Sequence, residues 1–318
     1  MKIKYILLLV LLIISPALFS LRYNSQLYNG ISEKSKNNNL DKNSEPHTKD
    51  FIYGITIDDS WENEVSVDEI LDAISAMYVK PTVRIVMSYE VSAAEYTDLF
   101  EKIHEKAYIM ACPVDSYEMN RYPDAESYLK RFQDSYAALS PYVDIWEIGN
   151  EINGIDWIKQ ENELIASKIN SVYHFLNSKI NNTFTKIAIT AYYMPPGSME
   201  MESWLDRYMD DDIKSGIDYV LVSYYEDDND GFQPDWDMVF KRLEKIFPNS
   251  GLGIGECGNT AEDADINSKK EMAHRYYNMP KYTENYIGGY FWWYWVQDCV
   301  PYENNELWEV INSAEYQK

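Results

Sequence analysis

Two glutamates of this 318-residue chain each follow a short apolar segment and are spaced so that they could act together. Glu151 lies just past the run that begins at Val143, and Glu256 ends the run that begins at Gly251. Each run has the length and composition of a buried β-strand. Two carboxyl groups at strand ends suit hydrolysis of a glycosidic bond, because one can protonate the leaving oxygen while the other attacks or stabilises the sugar cation.

Eight apolar segments predict strands, and amphipathic helical patterns separate them, for example after the cap residue Ser66 and from Asn162 onward. The predicted strands are Phe51–Ile57, Thr82–Met87, Ala107–Cys112, Val143–Ile148, Lys186–Ala191, Tyr219–Ser223, Gly251–Gly255 and Gly289–Tyr294. Their recurrence about every 30 residues is typical of βα units. We therefore expect an α/β fold, a single-domain (β/α)8 TIM barrel over residues 51–318. An open doubly wound sheet is the alternative, but no Gly-x-Gly-x-x-Gly follows the first strand.

The N-terminal 50 residues are expected to lie outside the barrel. Lys2 and Lys4 precede the apolar run Ile6–Ile14, and this pattern predicts a signal peptide over residues 1–20. Retention of the same segment as a membrane anchor is the alternative. Residues 21–50 are rich in Asn, Ser and Lys and predict a disordered polar spacer. We expect an exported protein that is secreted, periplasmic or on the cell surface, or anchored to the membrane by its N-terminus.

Composition narrows the class of partner. The net charge of -24 argues against nucleic acid and anionic lipid, whereas 28 Tyr and 9 Trp suit stacking against sugars. The sequence shows no zinc-binding pair and no serine-hydrolase elbow, so we expect no metal or other cofactor. A Ca²⁺ site in the acidic stretches 210–212 and 226–230 lacks the spaced ligand pattern. The three cysteines are expected to be buried free thiols, although one bridge is conceivable, and the protein is expected to be a monomer.

The strand ends carry mostly acids and aromatics, and in a (β/α)8 barrel the active site lies at the C-terminal ends of the strands. Beside the two glutamates, these positions hold Asp58, Asp59, Trp61, Asp115, Asn150, Tyr192, Tyr193, Ser223, Tyr224, Tyr225, Glu226, Trp293, Tyr294, Trp295 and Asp298, and Arg84 lies within the second strand. In the final aromatic run we expect Trp292 and Tyr294 to belong to the core, because alternate residues of a strand must face the helices.

From residue 51 to about residue 300, the chain resembles clan A glycoside hydrolases, which are retaining enzymes on (β/α)8 barrels. The resemblance implies that Glu151, preceded by Asn150, is the acid/base and that Glu256 is the nucleophile. It also implies a set of substrate-binding residues, with Trp295 as the sugar platform and Trp293 as the second choice. That set is Asn150, Arg84, Tyr224, Tyr225, Trp295 and Trp293, and Trp61, which follows the first strand, is a further substrate-binding candidate. No family within the clan is assigned.

The chemistry sets requirements for each of these residues. Glu151 must be protonated at the start and so needs a raised pKa, whereas Glu256 must be ionised, which Arg84 would favour. We expect the hydroxyl of Tyr224 to orient the Glu256 carboxylate. Structural roles are the alternatives: Arg84 could pair only with Glu147 inside the barrel, and the tyrosines could be packing residues.

The sequence therefore predicts a glycoside hydrolase that cleaves a β-linked oligo- or polysaccharide with retention of configuration by double displacement. Short loops favour an open cleft and endo action. A non-catalytic carbohydrate-binding barrel and an envelope-associated interaction protein on the same scaffold remain as alternatives, and so does transfer of sugars in place of hydrolysis. The sugar and the linkage stay open.

Overall fold

Eight parallel strands pair in sequence order, and the last pairs with the first, so the sheet closes into a barrel. The strands are β1 (Ile52–Ile57), β2 (Thr82–Val86), β3 (Tyr108–Cys112), β4 (Ile145–Glu147), β5 (Lys186–Tyr192), β6 (Tyr219–Ser223), β7 (Gly251–Glu256) and β8 (Tyr286–Trp292). The computed structural model describes residues 51–61, 64–180, 183–194 and 199–314. The predicted signal segment and spacer lie outside the described residues.

Helices follow the strands and cover the outside of the barrel. Within the described residues they are α1 (Val67–Ser75), α2 (Thr97–His104), α3 (Ala125–Leu139), α4 (Ile155–Ile158), α5 (Asn162–Ile180), α6 (Met201–Tyr208), α7 (Asp211–Gly216), α8 (Trp236–Ile246), α9 (Ile266–Tyr277), α10 (Trp295–Cys299) and α11 (Glu306–Asn312). Ser66 caps α1 as expected, since its side chain accepts from the Glu69 amide while the Glu69 carboxylate accepts from the Ser66 amide. The alternating order confirms the predicted (β/α)8 barrel.

The barrel interior has an apolar cluster with a polar layer next to it. The cluster contains Ile52, Met110, Ile145, Ala188, Leu221, Ile287 and Phe291. On four strands, the residue two positions after a cluster member is Cys112, Glu147, Thr190 or Ser223. Residues two apart in a strand face the same side, so these four polar side chains continue the interior toward the C-terminal ends of the strands. A larger apolar cluster lies between the sheet and the helices.

The predicted strands agree with the structure to within two residues at each end, except for the last. β8 begins three residues before the predicted start, and it ends at Trp292. Gly288 and Gly289 have φ angles of +80° and +99°, and a Cβ on Gly289 would lie 2.0 Å from the Ile254 carbonyl oxygen. Glycine is required there because β7 and β8 approach closely with left-handed backbone. This geometry ends the strand early and changes which aromatic side chains face the barrel mouth.

Cys112, Cys257 and Cys299 are free and buried, so the predicted buried thiols are confirmed. Among the described residues, no helix is both long enough and apolar enough to cross a membrane.

Candidate active site

A cavity of about 630 Å³ lies at the C-terminal ends of the strands and contains both predicted catalytic glutamates. Its lining is rich in acids and aromatic rings. The lining residues are Asp115, Ser116, Tyr117, Asn150, Glu151, Trp157, Tyr192, Met194, Tyr225, Asp228, Asn229, Glu256, Thr260, Trp293 and Tyr294. Glu151 follows β4 and Glu256 ends β7, so they are far apart in the sequence, and closure of the barrel brings them together.

Arg84 lies beneath the cavity on β2 and is completely buried. Its Nε donates to Glu147 Oε2 at 2.7 Å, and its Nη1 donates to Glu256 Oε2 at 2.6 Å. Glu147 also accepts a hydrogen bond from the Thr190 hydroxyl. Arg84 thus contacts Glu256 as expected, and the alternative in which it pairs only with the interior acid Glu147 does not hold. A buried cation needs such partners, and these fix its position.

Glu256 is held by three neighbours. Besides Arg84, the Tyr225 hydroxyl donates to Glu256 Oε1 at 2.7 Å, and Asn150 Nδ2 lies 3.5 Å from Oε2. Burial raises the pKa of Glu256, while the Arg84 charge and the Tyr225 hydrogen bond pull that pKa down. Because these two groups stabilise the ionised form, Glu256 is the carboxyl group of the pair that loses its proton first.

Glu151 has two hydroxyl partners and, within the described residues, no cation is bonded to it. It accepts from Ser223 Oγ at 2.7 Å and from Ser116 Oγ at 3.0 Å. Burial raises the pKa of Glu151 to about 8, and the nearby charge of Glu256 adds to the rise, against which the two serine hydrogen bonds act. Burial and the charge of Glu256 therefore favour the protonated form of Glu151, whereas Arg84 and Tyr225 favour the ionised form of Glu256. Environments that push the pKa values of two carboxyl groups apart suit a division into an acid and a carboxylate.

The backbone at Glu151 is unusual. Its φ angle is +47°, which is rare for a residue with a side chain. The preceding Gly149 has no room for a Cβ, which would lie 2.4 Å from Ile169 Cδ1 and 2.5 Å from Ile152 Cγ2. Tight packing behind the loop thus holds Glu151 in a strained conformation that places its carboxyl group in the cavity.

Asn150 is buried between the two catalytic candidates and Asp115. Its Nδ2 donates to Asp115 Oδ1 at 2.9 Å, and its Oδ1 has no hydrogen-bond partner within the described part of the chain. A buried amide oxygen without a partner is costly, and at functional sites a ligand can satisfy it. Asn150 therefore lies where a substrate group that donates a hydrogen bond would complete it.

Several aromatic predictions need correction. The Tyr224 hydroxyl donates to the Phe232 carbonyl at 2.7 Å, so Tyr225, and not Tyr224, orients Glu256. Tyr224 faces the helices because it is one residue out of phase with Ser223, which points into the barrel. Trp61 is half-buried against the apolar core and does not line the cavity.

The predicted sugar platform, Trp295, is fully buried in α10 and is wrong as a surface for stacking. Because β8 ends at Trp292, the next two rings are the ones that line the cavity, namely Trp293 and Tyr294. Tyr294 is 37% exposed, so its expected place in the core is also wrong, whereas Trp292 is in the core as expected.

The lining residue Ser116 was missed by reasoning from the sequence, although its position just past a strand end was an available signal. Ser223 was predicted to lie at a strand end, and the structure shows that Ser116 and Ser223 both donate to Glu151. The lining residues Tyr117, in a 3-10 turn after β3, and Trp157, in α4, were also missed, because no strand pattern marks their positions.

Lys168 on α5 was also missed, and it supports the loop that carries Ser116. Its Nζ is buried and donates to the carbonyls of Met119 and Tyr122 and to Gln160 Oε1 at 2.9, 2.6 and 2.5 Å. Burial lowers the pKa of Lys168 to about 8.

One surface cluster has the composition of a metal site. Side-chain atoms of His174, Asp210 and Asp212 lie within 4.8 Å of one another, all exposed. His174 already pairs with Asp212 at 3.5 Å, and Asp210 accepts from Asn170 at 2.5 Å. These contacts explain the cluster without an ion.

Comparison with known proteins shows the fold. No protein-family model matches the sequence, and no curated protein sequence matches it. Saccharomyces cerevisiae Gas2p in complex with laminaripentaose is similar over 85% of this chain and 66% of that chain, with 12% identity and a TM-score of 0.54. Beta-glucosidase from Thermotoga maritima in complex with glucoimidazole is similar over 78% of this chain and 89% of that chain, with 12% identity and a TM-score of 0.52.

The present chain spans just under two thirds of the Gas2p chain that it matches. At this level of identity the likeness concerns the course of the backbone and not individual residues. The comparison therefore confirms the (β/α)8 barrel that the resemblance in sequence implies.

Proposed function

We propose that this protein is a glycoside hydrolase that cleaves β-linked glycans with retention of configuration. The observation that carries the proposal is the buried pair of carboxyl groups in the cavity, in which Glu256 accepts hydrogen bonds from Arg84 and Tyr225 and Glu151 accepts hydrogen bonds from two serine hydroxyls. Retaining glycosidases need two such neighbouring carboxyl groups.

In the first step, Glu256 Oε attacks the anomeric carbon while Glu151 transfers its proton to the glycosidic oxygen. The bond to the leaving sugar breaks, and a covalent glycosyl ester forms on Glu256. In the second step, the Glu151 carboxylate takes a proton from water, and the hydroxyl oxygen attacks the same carbon. The ester bond breaks, Glu256 is released as a carboxylate, and Glu151 is protonated again.

The cavity lining supports a sugar substrate. Trp157, Tyr192, Trp293 and Tyr294 bring flat apolar rings next to carboxylate and amide groups, and sugars offer both apolar faces and hydroxyls. Tyr117 also lines the cavity and is 68% exposed, so its ring extends the aromatic lining to the protein surface. This extension favours a polymeric substrate and internal cleavage.

The two structural neighbours contain laminaripentaose and glucoimidazole, which makes β-glucans the first substrates to try. The test is release of reducing ends from laminarin by the purified protein, with the anomeric configuration of the first product followed by proton NMR. Glu151→Gln and Glu256→Gln are expected to lose at least about 10³-fold in kcat/KM. Glu271→Gln, at an exposed position of α9, is the matched control.

Inverted product would contradict retention, and hydrolysis at the wild-type rate by Glu256→Gln would contradict the assigned roles. Binding of glycans without cleavage of any of them would favour the carbohydrate-binding barrel. Products longer than the substrate would indicate transfer of sugars, for which the same two glutamates would serve.

A further inference from the structure

The charged side chains that line the cavity are all acidic. Its lining contains four carboxyl groups, those of Asp115, Glu151, Asp228 and Glu256, and it contains no lysine or arginine. Arg84, beneath the lining, is completely buried, and its guanidinium pairs with Glu147 and Glu256. Even with Glu151 protonated, a ligand in this cavity therefore meets carboxylates that no lysine or arginine of the lining offsets.

Further acids lie close to the lining. Asp59 is near enough to Asp58 and Asp115 for their charges to add to the rise that burial causes in the pKa of Asp59. Asp227 accepts from the backbone N–H of Thr260, a lining residue, at 2.8 Å. A cleft with low-dielectric walls concentrates the field of such acids.

A second observation does not depend on these acids. Asn150 is 1% exposed and lines the cavity, and its Oδ1 has no hydrogen-bond partner among the described residues. Its Nδ2 is already engaged by Asp115 Oδ1 at 2.9 Å. The group that Asn150 lacks is therefore a hydrogen-bond donor, and the neighbouring carboxylates favour a donor that carries positive charge.

The aromatic rings of the cavity are compatible with the same ligand. Trp157, Trp293 and Tyr294 all line it, and a cation over such a ring is attracted by the negative face of the π system. An ammonium group on a sugar would thus find acceptor oxygens and aromatic faces together.

We infer that the cleft selects glycans that carry free amino groups over neutral glycans and rejects those that carry carboxylates. The inference rests on the proposed function and names its substrate class as β-glycans with amino sugars or other amino-substituted units. A neutral β-glucan is then a usable substrate, and an amino-bearing chain of the same linkage is a better one.

The test compares three polymers that share one backbone: laminarin, 6-amino-6-deoxy-laminarin and carboxymethyl laminarin. We expect kcat/KM for the aminated polymer to exceed that for laminarin by at least about 10-fold at low ionic strength. The carboxymethyl polymer should be cleaved more slowly than laminarin. The preference should shrink in 1 M NaCl, where the Debye length is about 3 Å.

Asp228→Asn should reduce the preference several-fold, because it removes a carboxylate from the lining. Asp230→Asn is the matched control, since it removes the same charge from the same loop outside the lining. Its φ angle of 53° also suits asparagine. Equal cleavage of aminated and neutral polymers, or a preference that 1 M NaCl leaves unchanged, would overturn the inference.

A binding measurement distinguishes failure of this inference from failure of the proposed function. Isothermal titration of the full-length protein with laminaritetraose and with its 6-amino-6-deoxy derivative measures selection without any cleavage. Tighter binding of the amino tetramer, lost at high salt, would support the inference even if no polymer were hydrolysed. Equal or weaker binding would refute it even if laminarin were a good substrate.

Discussion

Replacing Arg84 by methionine tests the electrostatics of the site. The guanidinium donates to Glu256 Oε2 at 2.6 Å and to Glu147 Oε2 at 2.7 Å, and all three side chains are almost or completely buried. Methionine fills similar space without charge. In the variant, Glu256 loses its cation but keeps Glu147 as a negative neighbour, so the pKa of Glu256 must rise.

The size of the shift follows from the geometry. Charge centres about 4 Å apart interact by about 4 kcal/mol at an effective dielectric constant of about 20, which corresponds to about 3 pH units. Rearrangement of nearby groups reduces this, so we expect a rise of about 1 to 3 units. Since burial already raises the pKa of Glu151 to about 8, the two values approach each other. The pH range in which Glu256 is ionised and Glu151 protonated therefore narrows.

The assay is the pH profile of kcat/KM on whichever β-glucan the wild type cleaves, together with urea unfolding. The acidic limb should move up by 1 to 3 units, and maximal activity should fall by at least about 10²-fold. Unpaired buried acids should also reduce the free energy of unfolding by about 3–5 kcal/mol.

The double variant Arg84→Met/Glu147→Gln is the control. It removes one unpaired acid and should recover part of the stability, while the acidic limb stays displaced. Carbon-13 NMR titration of the glutamate carboxyl groups gives the same pKa without activity. If the acidic limb of the pH profile and the pKa of Glu256 were both the same in Arg84→Met as in the wild type, the reasoning would be refuted.

Three further predictions concern the neighbours of the catalytic pair. Ser223→Ala removes a hydrogen bond that lowers the pKa of Glu151, so the alkaline limb of the pH profile should move up by about 1 unit; an unchanged or lower limb would contradict this. Tyr225→Phe should lower kcat at least about 10-fold, whereas Tyr224→Phe should leave kcat near wild type, and equal effects in steady-state kinetics would contradict the assignment. Trp293→Ala should raise KM more than it lowers kcat, because the ring lines the cavity, and an unchanged KM would argue against stacking.

The strands and the acids at their ends could be predicted from the sequence because both are local properties. A short apolar run marks a buried strand, and the residue that follows it stands at the C-terminal end of the barrel. Tyr225 could have been assigned by the same logic. Ser223 faces the interior, and the residue two positions later in the chain continues on that face.

Which aromatic rings after β8 line the cavity could not be predicted by alternating residues along the strand. Positive φ angles at Gly288, Gly289, Tyr290 and Phe291 break the alternation of faces, so the positions of Trp293, Tyr294 and Trp295 depend on how β8 meets its neighbours. The role of Lys168 could not be predicted either, because its carbonyl partners Met119 and Tyr122 lie 49 and 46 residues away.

The sequence alone determined the barrel and the presence of a glutamate at the ends of two strands, since pattern and strand length act over a few residues. Only the tertiary structure decided which neighbours shift the pKa of each glutamate. Arg84 and Glu256 are 172 residues apart, and Ser223 and Glu151 are 72 apart, and closure of the sheet brings each pair into contact. Burial and neighbouring charge set a pKa, and both exist only once distant strands have come together.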